Sequence, residues 1–473
     1  MISAVEKRGV GIMHVELNTQ RIIVAAVSVL ALFIVWFPPI WLPAGTAVTS
    51  AVALIAIALF ATGVVAEPIA ALVFFLAAML FAVAPPEVVF AGFSSTAFWI
   101  IFGGLIIGMG IRHTGLGQVI ADALLARLPA RYALVITGSV FVGLLFAFLM
   151  PGAMGRMVLL VPIALAVADQ LGFAERSNGR IALVLATVFG THVGSFAILP
   201  SNTPNVVWSG AMQAIHGIEI GYLEYLGWHF PVLGVVRSAL LVGLLIWWFP
   251  DRIPTGQQRA RTQASMNIDQ RRMAWVLAIA LGLWITDFVH GVGPAWIALA
   301  AACYLLLNSQ RLVPERPFAA LDIGPLLLVG GVLGIGAVLA YSGIGEAAFT
   351  QLLPHLPLAP DSGALNYALI SLGGVGLAVL TAMPGVPAIG VPLGDTLAAA
   401  TGWPVESVLT ILTAAYATYF LPYQAPPILI GAQLGRVPWG VLTRFTLTFA
   451  AISIALIFPL HYLWLSLIGV LPS

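Results

Sequence analysis

Charge is what this sequence has least of: only 8% of its 473 residues are Asp, Glu, Lys or Arg, against about 25% in a soluble domain. A water-soluble fold is disfavoured on that ground, because so apolar a surface would aggregate. The single cysteine, Cys303, excludes an intrachain disulfide. A net charge of +1 gives no basic footprint for nucleic acid. No nucleotide-binding glycine loop, metal-spaced Cys/His cluster or Ser-His-Asp set occurs, so an intramembrane enzyme is disfavoured and no cofactor is expected. Lys7 and Arg8 are not followed by a short apolar stretch and a small-residue cleavage site. The apolar run from Ile22 therefore reads as a retained helix and not a signal peptide.

Hydrophobic residues make up 61% of the chain. They recur in stretches of about 20, each able to cross a hydrocarbon core of about 30 Å. The spans predicted are 22–42, 47–65, 67–84, 96–112, 180–215, 228–249, 273–290, 292–309, 324–341, 404–432 and 441–470, giving an all-α polytopic membrane protein of about 11 spans. Two further segments, 133–172 and 366–402, are apolar but interrupted near their middles. Trp36, Trp41, Trp228, Trp247 and Trp248 fall near span ends and read as interfacial anchors.

The basic residues set the topology. With the N-terminus cytoplasmic and both interrupted segments treated as re-entrant hairpins, 16 of the 19 Lys and Arg fall on the inner side. The remaining three, Arg156, Arg237 and Arg444, lie inside apolar segments. One full crossing in place of a hairpin would swap every later loop and destroy the pattern. The polar, arginine-rich stretch 250–272 is a cytoplasmic linker between residues 1–249 and 273–473.

The two halves share landmarks in the same order. Phe102-Gly103-Gly104 and Thr114-Gly115-Leu116-Gly117 match Val329-Gly330-Gly331 and Ser342-Gly343-Ile344-Gly345. Met150-Pro151-Gly152-Ala153 matches Met383-Pro384-Gly385-Val386, and Pro162 with Leu171-Gly172 matches Pro392 with Thr401-Gly402. Leu199-Pro200-Ser201-Asn202-Thr203-Pro204-Asn205 matches Leu421-Pro422-Tyr423-Gln424-Ala425-Pro426-Pro427. The hairpins open to opposite sides, so the repeats are inverted, each with a re-entrant hairpin and a broken helix.

Proline has no amide hydrogen and clashes with the preceding turn, and glycine frees the backbone. Pro151-Gly152 and Pro384-Gly385 are therefore hairpin tips, while 200–205 and 422–427 should unwind at mid-membrane. Such backbone must be buried in protein or line a wet cavity. Each tip presents the N-terminus of a half-helix, whose free amides and positive dipole end suit an anion. A simple proline kink would explain one such break; four, paired across the repeat, point to a transporter.

At these motifs the sequence resembles the divalent-anion/sodium symporter family, carriers of dicarboxylates, citrate and sulfate. Gly92-Phe93-Ser94-Ser95-Thr96-Ala97-Phe98-Trp99, then Phe102-Gly103-Gly104 and Thr114-Gly115-Leu116, looks like the segment before the family's first hairpin. Asn202-Thr203-Pro204-Asn205 looks like its Thr-Pro-Pro-Asn motif, and Leu421-Pro422 with Ala425-Pro426-Pro427 looks like the second copy. The resemblance implies a homodimer, a fixed scaffold, an elevator-like transport domain and sodium coupling. The family's tip motif, Ser-Asn-Thr, is replaced here by Pro151-Gly152-Ala153 and Pro384-Gly385-Val386. A dicarboxylate substrate and sodium coupling therefore carry over less fully than the fold.

The substrate-binding candidates are Pro151, Gly152, Ala153 and Arg156 in the first hairpin, Asn202 and Thr203 in the first break, Pro384, Gly385 and Val386 at the second tip, and Tyr423, Gln424 and Ala425 in the second break. Arg156 leads, since an intramembrane charge is expensive and a guanidinium can grip a carboxylate by two parallel bonds. It could also supply the positive charge that sodium otherwise brings. The bland alternative is an ion pair, with Asp395 as partner. Ser201, Asn205, Asp395 and His192 are candidates for a coupling ion, sodium or a proton. For Asp395 the competing reading is a solvated residue near the outer mouth, for His192 a hydrogen-bonded structural histidine, and for Arg237 a scaffold ion pair. The break side chains would otherwise only satisfy freed backbone groups.

These readings converge on a secondary transporter of a small di- or tricarboxylate or sulfate-like anion in a bacterial inner membrane. The alternatives are a channel, which needs a continuous pore, and a cation/proton antiporter or arsenite-type carrier, which needs acidic or thiol-reactive tips.

Overall fold

The structure, a computed structural model, describes residues 20–126, 131–254, 266–381 and 383–472. The described residues are helical and contain no strand. Lys7, Arg8, Arg127 and residues 255–265 of the expected linker lie outside them. Among the described residues seven helices are long and apolar enough to cross a membrane, or eight if Gly385–Thr401 and Val405–Tyr416, bent by 119° at their break, count as one. That differs from the eleven expected, for two reasons. Helices such as Ala47–Thr62, Glu67–Leu80 and Pro294–Leu307 are shorter than the predicted runs. The arms of the first hairpin, Tyr132–Leu149 and Ala153–Gln170, are each 18 residues and qualify singly.

Proline and glycine act where the sequence puts them, with one asymmetry. The first hairpin turns at Met150-Pro151-Gly152, and its returning arm stays helical through Pro162. In the second, Gly363–Thr381 leads to a tip at Pro384, but the returning arm breaks into a 3-10 turn at Val391–Leu393 around Pro392. Pro162 sits in a long arm braced on both sides; the second arm has only short helical pieces, Gly385–Gly390 and Gly394–Thr401, flanking its proline.

The two breaks share one local structure. Asn178–Val193 unwinds into a 3-10 turn, Leu199–Ser201, held between extended residues Ile198 and Asn202, before Thr203–His216 resumes. Val405–Thr410 and Leu412–Tyr416 give way to the turn Pro422–Gln424 after extended Leu421, before Pro426–Leu434 resumes at Ala425.

The hairpins and broken helices pack into one body. Tyr132–Leu149 lies so close to Asn178–Val193 that a Cβ on Gly190 would sit 2.7 Å from the Val140 Cα. The returning arm Ala153–Gln170 packs on Pro426–Leu434, and Thr203–His216 packs on Gly385–Gly390. Trp208 donates its indole N–H to the Leu409 carbonyl at 2.9 Å, joining the two broken helices. Of three lesser cores, two stand beside this body. One gathers residues of Ala47–Thr62 and Glu67–Leu80 around Gly324–Ser342; the other gathers Ile268–Ile285 and Pro294–Leu307 around Thr96–Thr114. Trp36 and Trp247 are exposed as anchors should be, whereas Trp228 is packed into the main core.

Candidate substrate site at the tips and breaks

Four half-helices begin at this centre, and none is capped by a side chain. Their N-cap residues are Gly152, Asn202, Pro384 and Ala425. First-turn amides are thus left for other acceptors. At the first tip Gly152 has φ 87°, which a side-chain-bearing residue rarely adopts. Pro151 is half-buried, Gly152 exposed and Ala153 buried. At the second tip Val386 is buried, and a Cβ on Gly385 would sit 2.5 Å from Thr381 Oγ1. A cavity beside it, lined in part by Phe60, Glu67, Pro384 and Gly385, measures about 40 Å³. That is room for a few waters and not for a dicarboxylate.

Arg156 is fully buried on the first turn of the returning arm. Its Nη1 donates to the Met150 carbonyl at 2.7 Å, the Ser201 carbonyl at 3.1 Å and the Ser201 hydroxyl at 2.9 Å. The guanidinium therefore joins the hairpin tip to the first break. Its Nε and Nη2, the two donors of one fork edge, have no hydrogen-bond partner among the described residues. The expected alternative, an ion pair with Asp395, is not formed. Asp395 has an 80% exposed side chain and lies 3.7 Å from His216. Its carboxyl is therefore exposed, which corrects the expectation of a buried carboxylate with a raised pKa.

The first break is laced by its own side chains. Asn205 donates to the carbonyls of Ser195 and Ile198, both at 3.0 Å, and Asn202 donates to the Ser195 hydroxyl at 3.1 Å. That hydroxyl in turn donates to the His192 carbonyl at 2.6 Å. These amides do satisfy freed backbone groups, yet the buried Asn205 Oδ1 keeps an unused acceptor. Thr203 opens the following half-helix and is half-buried. In the second break Gln424 is spent on structure. Its Oε1 accepts from Phe420 and Leu421 N–H at 2.9 Å, and its amide donates to the Ala378 carbonyl of the second hairpin at 3.0 Å. It thus ties break to hairpin, as Arg156 does in the first half. Ala425 is buried beside it. The Tyr423 side chain lies outside the described residues.

His192 is buried between the ring edges of Phe196 and Tyr419, with centroids at 5.0 and 5.5 Å. Neither ring nitrogen has a hydrogen-bond partner among the described residues, so the hydrogen-bonded histidine expected as the bland reading is not what forms there. The charges of Arg156 and Arg237 both act on it. Arg237 also departs from its expected ion pair: it donates Nη2 to the Ala417 carbonyl at 2.9 Å and lies 5.3 Å over the Phe449 ring. Sequence reasoning missed this contact, which spans 180 positions. It missed Arg112 as well: a Cβ on Gly155 would lie 3.0 Å from Arg112 Nη1, so that side chain reaches the first tip. A separate cavity of about 420 Å³ is lined in part by Glu219, Glu224 and Asp287, a poor receptacle for an anion.

A sequence profile described as citrate transporter (CitMHS) matches residues 57–417. A membrane protein of Cupriavidus necator is 25% identical over 59% of this chain and 56% of its own length. A citrate/succinate antiporter of Escherichia coli is 24% identical over 41% of this chain and 42% of its own. The chain thus matches about half the length of these curated relatives. The crystal structure of the Alcanivorax borkumensis YdaH transporter superposes with a TM-score of 0.58, covering 82% of this chain and 89% of that one at 16% identity, so the fold is shared.

Proposed function

The chain belongs to the citrate transporter family, and from that premise we propose that it is a secondary transporter of a small di- or tricarboxylate. The observation that carries this is Arg156: a fully buried guanidinium, joined to hairpin and break through Nη1, with its Nε/Nη2 edge unpartnered. A carboxylate accepts two parallel bonds from such an edge. A buried charge left without a counter-ion is costly, and a bound anion offsets that cost. The uncapped half-helix starts at Gly152, Asn202, Pro384 and Ala425 add free amides. Pro151, Ala153, Thr203, Gly385 and Val386 shape the walls of this site, and Asn205 Oδ1 offers an acceptor to a coupling ion or a substrate hydroxyl.

In this reading the hairpins and broken helices form the moving body. The two smaller cores form the scaffold, and the loaded body crosses between them as an elevator. Inverted repeats, a cytoplasmic N-terminus, a homodimer in a bacterial inner membrane, and a sodium ion, proton or counter-anion as coupling partner complete the proposal. Uptake of labelled succinate, citrate, tartrate and sulfate into proteoliposomes is the test. Saturable uptake of a carboxylate that Arg156→Met abolishes is expected. No carboxylate movement by demonstrably folded protein would overturn the reading.

A further inference from the structure

The first tip rests against Thr96–Thr114: a Cβ on Gly104 would lie 2.7 Å from the Pro151 Cβ. The last turn of that helix carries Arg112, which is exposed. Among the described residues its guanidinium makes no hydrogen bond and has no carboxylate within 4 Å. An arginine at the inner end of a span ordinarily serves as an anchor, reaching out to headgroups or to the last carbonyls of its own helix. Arg112 turns the other way. A Cβ on Gly108, one turn nearer the middle of the helix, would lie 3.5 Å from its Nη1, and a Cβ on Gly155, in the first turn of the returning arm, 3.0 Å. Two glycines leave the space this guanidinium occupies.

Two guanidiniums with free donors therefore flank the first tip, and Met150 touches the surroundings of both. Its carbonyl accepts from Arg156 Nη1 at 2.7 Å. On the side of Arg112, a Cβ on Gly155 would lie 2.6 Å from the Met150 Cε. Met150 is fully buried, in the lesser core that also holds Met109 and Met273. Arg156 is 0% exposed, so an anion reaches its free edge only if something at the tip moves aside. An unbranched thioether repacks at little cost, which makes Met150 a plug and not a wall.

We infer that Arg112 is a second carboxylate-binding residue, which takes one carboxylate of the dianion at the inner mouth before Met150 yields and Arg156 receives it. This rests on the carboxylate-carrier reading and deepens it. The charge pattern puts Arg112 on the inner side. Arg112 belongs to the helix against which the tip rests, and Arg156 to the body that moves. When that body crosses, Arg156 leaves Arg112 behind. A dianion at the inner face thus meets two guanidiniums, and at the outer face one. Affinity for the dianion is therefore greater at the inner face by what Arg112 contributes.

Right-side-out and everted membrane vesicles, from cells lacking other succinate carriers, take up labelled succinate from the outer and the inner face respectively. In Arg112→Gln the half-saturating succinate concentration at the inner face should rise about tenfold, the loss of one charge-assisted hydrogen bond. At the outer face it should stay within about twofold of the parent. Arg112→Lys, which keeps the charge on a flexible and exposed side chain, should recover most of the inner-face affinity. An arginine with a merely structural role would affect both faces alike. A change shared equally by both faces, confined to the outer face, or absent overturns the inference and leaves the carrier reading intact. So does an Arg112→Lys variant no better than Arg112→Gln. Unaltered protein that moves no carboxylate from either face overturns both.

Discussion

Replacing Arg156 by lysine keeps a positive charge and removes the fork. An ammonium is a point donor, and here it is surrounded by the Met150 carbonyl and both Ser201 oxygens. It will spend itself on them and meet a carboxylate with one bond fewer. A hydrogen bond to a charged group contributes about 1.5–3 kcal/mol, so the loss corresponds to roughly 10- to 100-fold weaker binding. The difference reads out as heat stability in detergent. At a succinate concentration of about 100 Kd the unaltered protein gains about 2.7 kcal/mol by mass action. With Kd raised about 100-fold, the same concentration gives only about 0.4 kcal/mol. Melting the two proteins across a succinate series, with glycolate as a monocarboxylate control, measures the ratio directly. Coincident stabilisation curves for Arg156→Lys and its parent would refute the idea that the free guanidinium edge holds substrate.

Three other outcomes follow from the same geometry. Gly190→Leu places a side chain where even a Cβ meets the Val140 backbone at 2.7 Å; it should lower stability by more than about 2 kcal/mol, seen as a fall in melting midpoint, and a neutral result would mean the helices can part freely. Gln424→Ala strands the Phe420 and Leu421 amides and the Ala378 carbonyl; about 2–4 kcal/mol of stability should go, while the succinate affinity of the surviving folded fraction changes less than threefold. Asp395→Asn, at an 80% exposed side chain, should leave transport rate and its pH profile unchanged; a flattened profile would reinstate Asp395 in coupling.

What could be read from the sequence was whatever proline and glycine decide locally. The unwinding predicted at 200–205 and 422–427 is found at 194–202 and 417–425, overlapping each predicted stretch at its start, because a missing amide interrupts a helix regardless of what packs around it. The tip at Pro151-Gly152 and the burial of Arg156 were legible for the same reason: each depends on neighbours a few residues away. Spacing gives depth along a half-helix but not which face a side chain takes. Asp395 was therefore open between buried and solvated and turned out exposed. Arg237 was assigned an ion pair because an apolar helix gives no sign of a carbonyl arriving from Ala417. Gln424 looked like a ligand, yet its oxygen and amide are used up on backbone. The seven or eight qualifying helices among the described residues are fewer than the eleven predicted runs for a different reason: hydropathy measures how far apolar residues run, and several runs here continue past the end of their helix.

The lacing of the first break by Asn202, Asn205 and Ser195 has a mechanical meaning. Unwound backbone inside a helix is usually taken for a hinge, the place where a protein bends. Four bonds closed across about ten residues leave nothing to bend: opening the angle between Asn178–Val193 and Thr203–His216 would break several of them together. The break is a rigid joint. Force applied to one half-helix arrives undiminished at the other, so in the proposed elevator movement the site keeps its shape, and the flexing that movement needs belongs to the segments that connect this body to its surroundings.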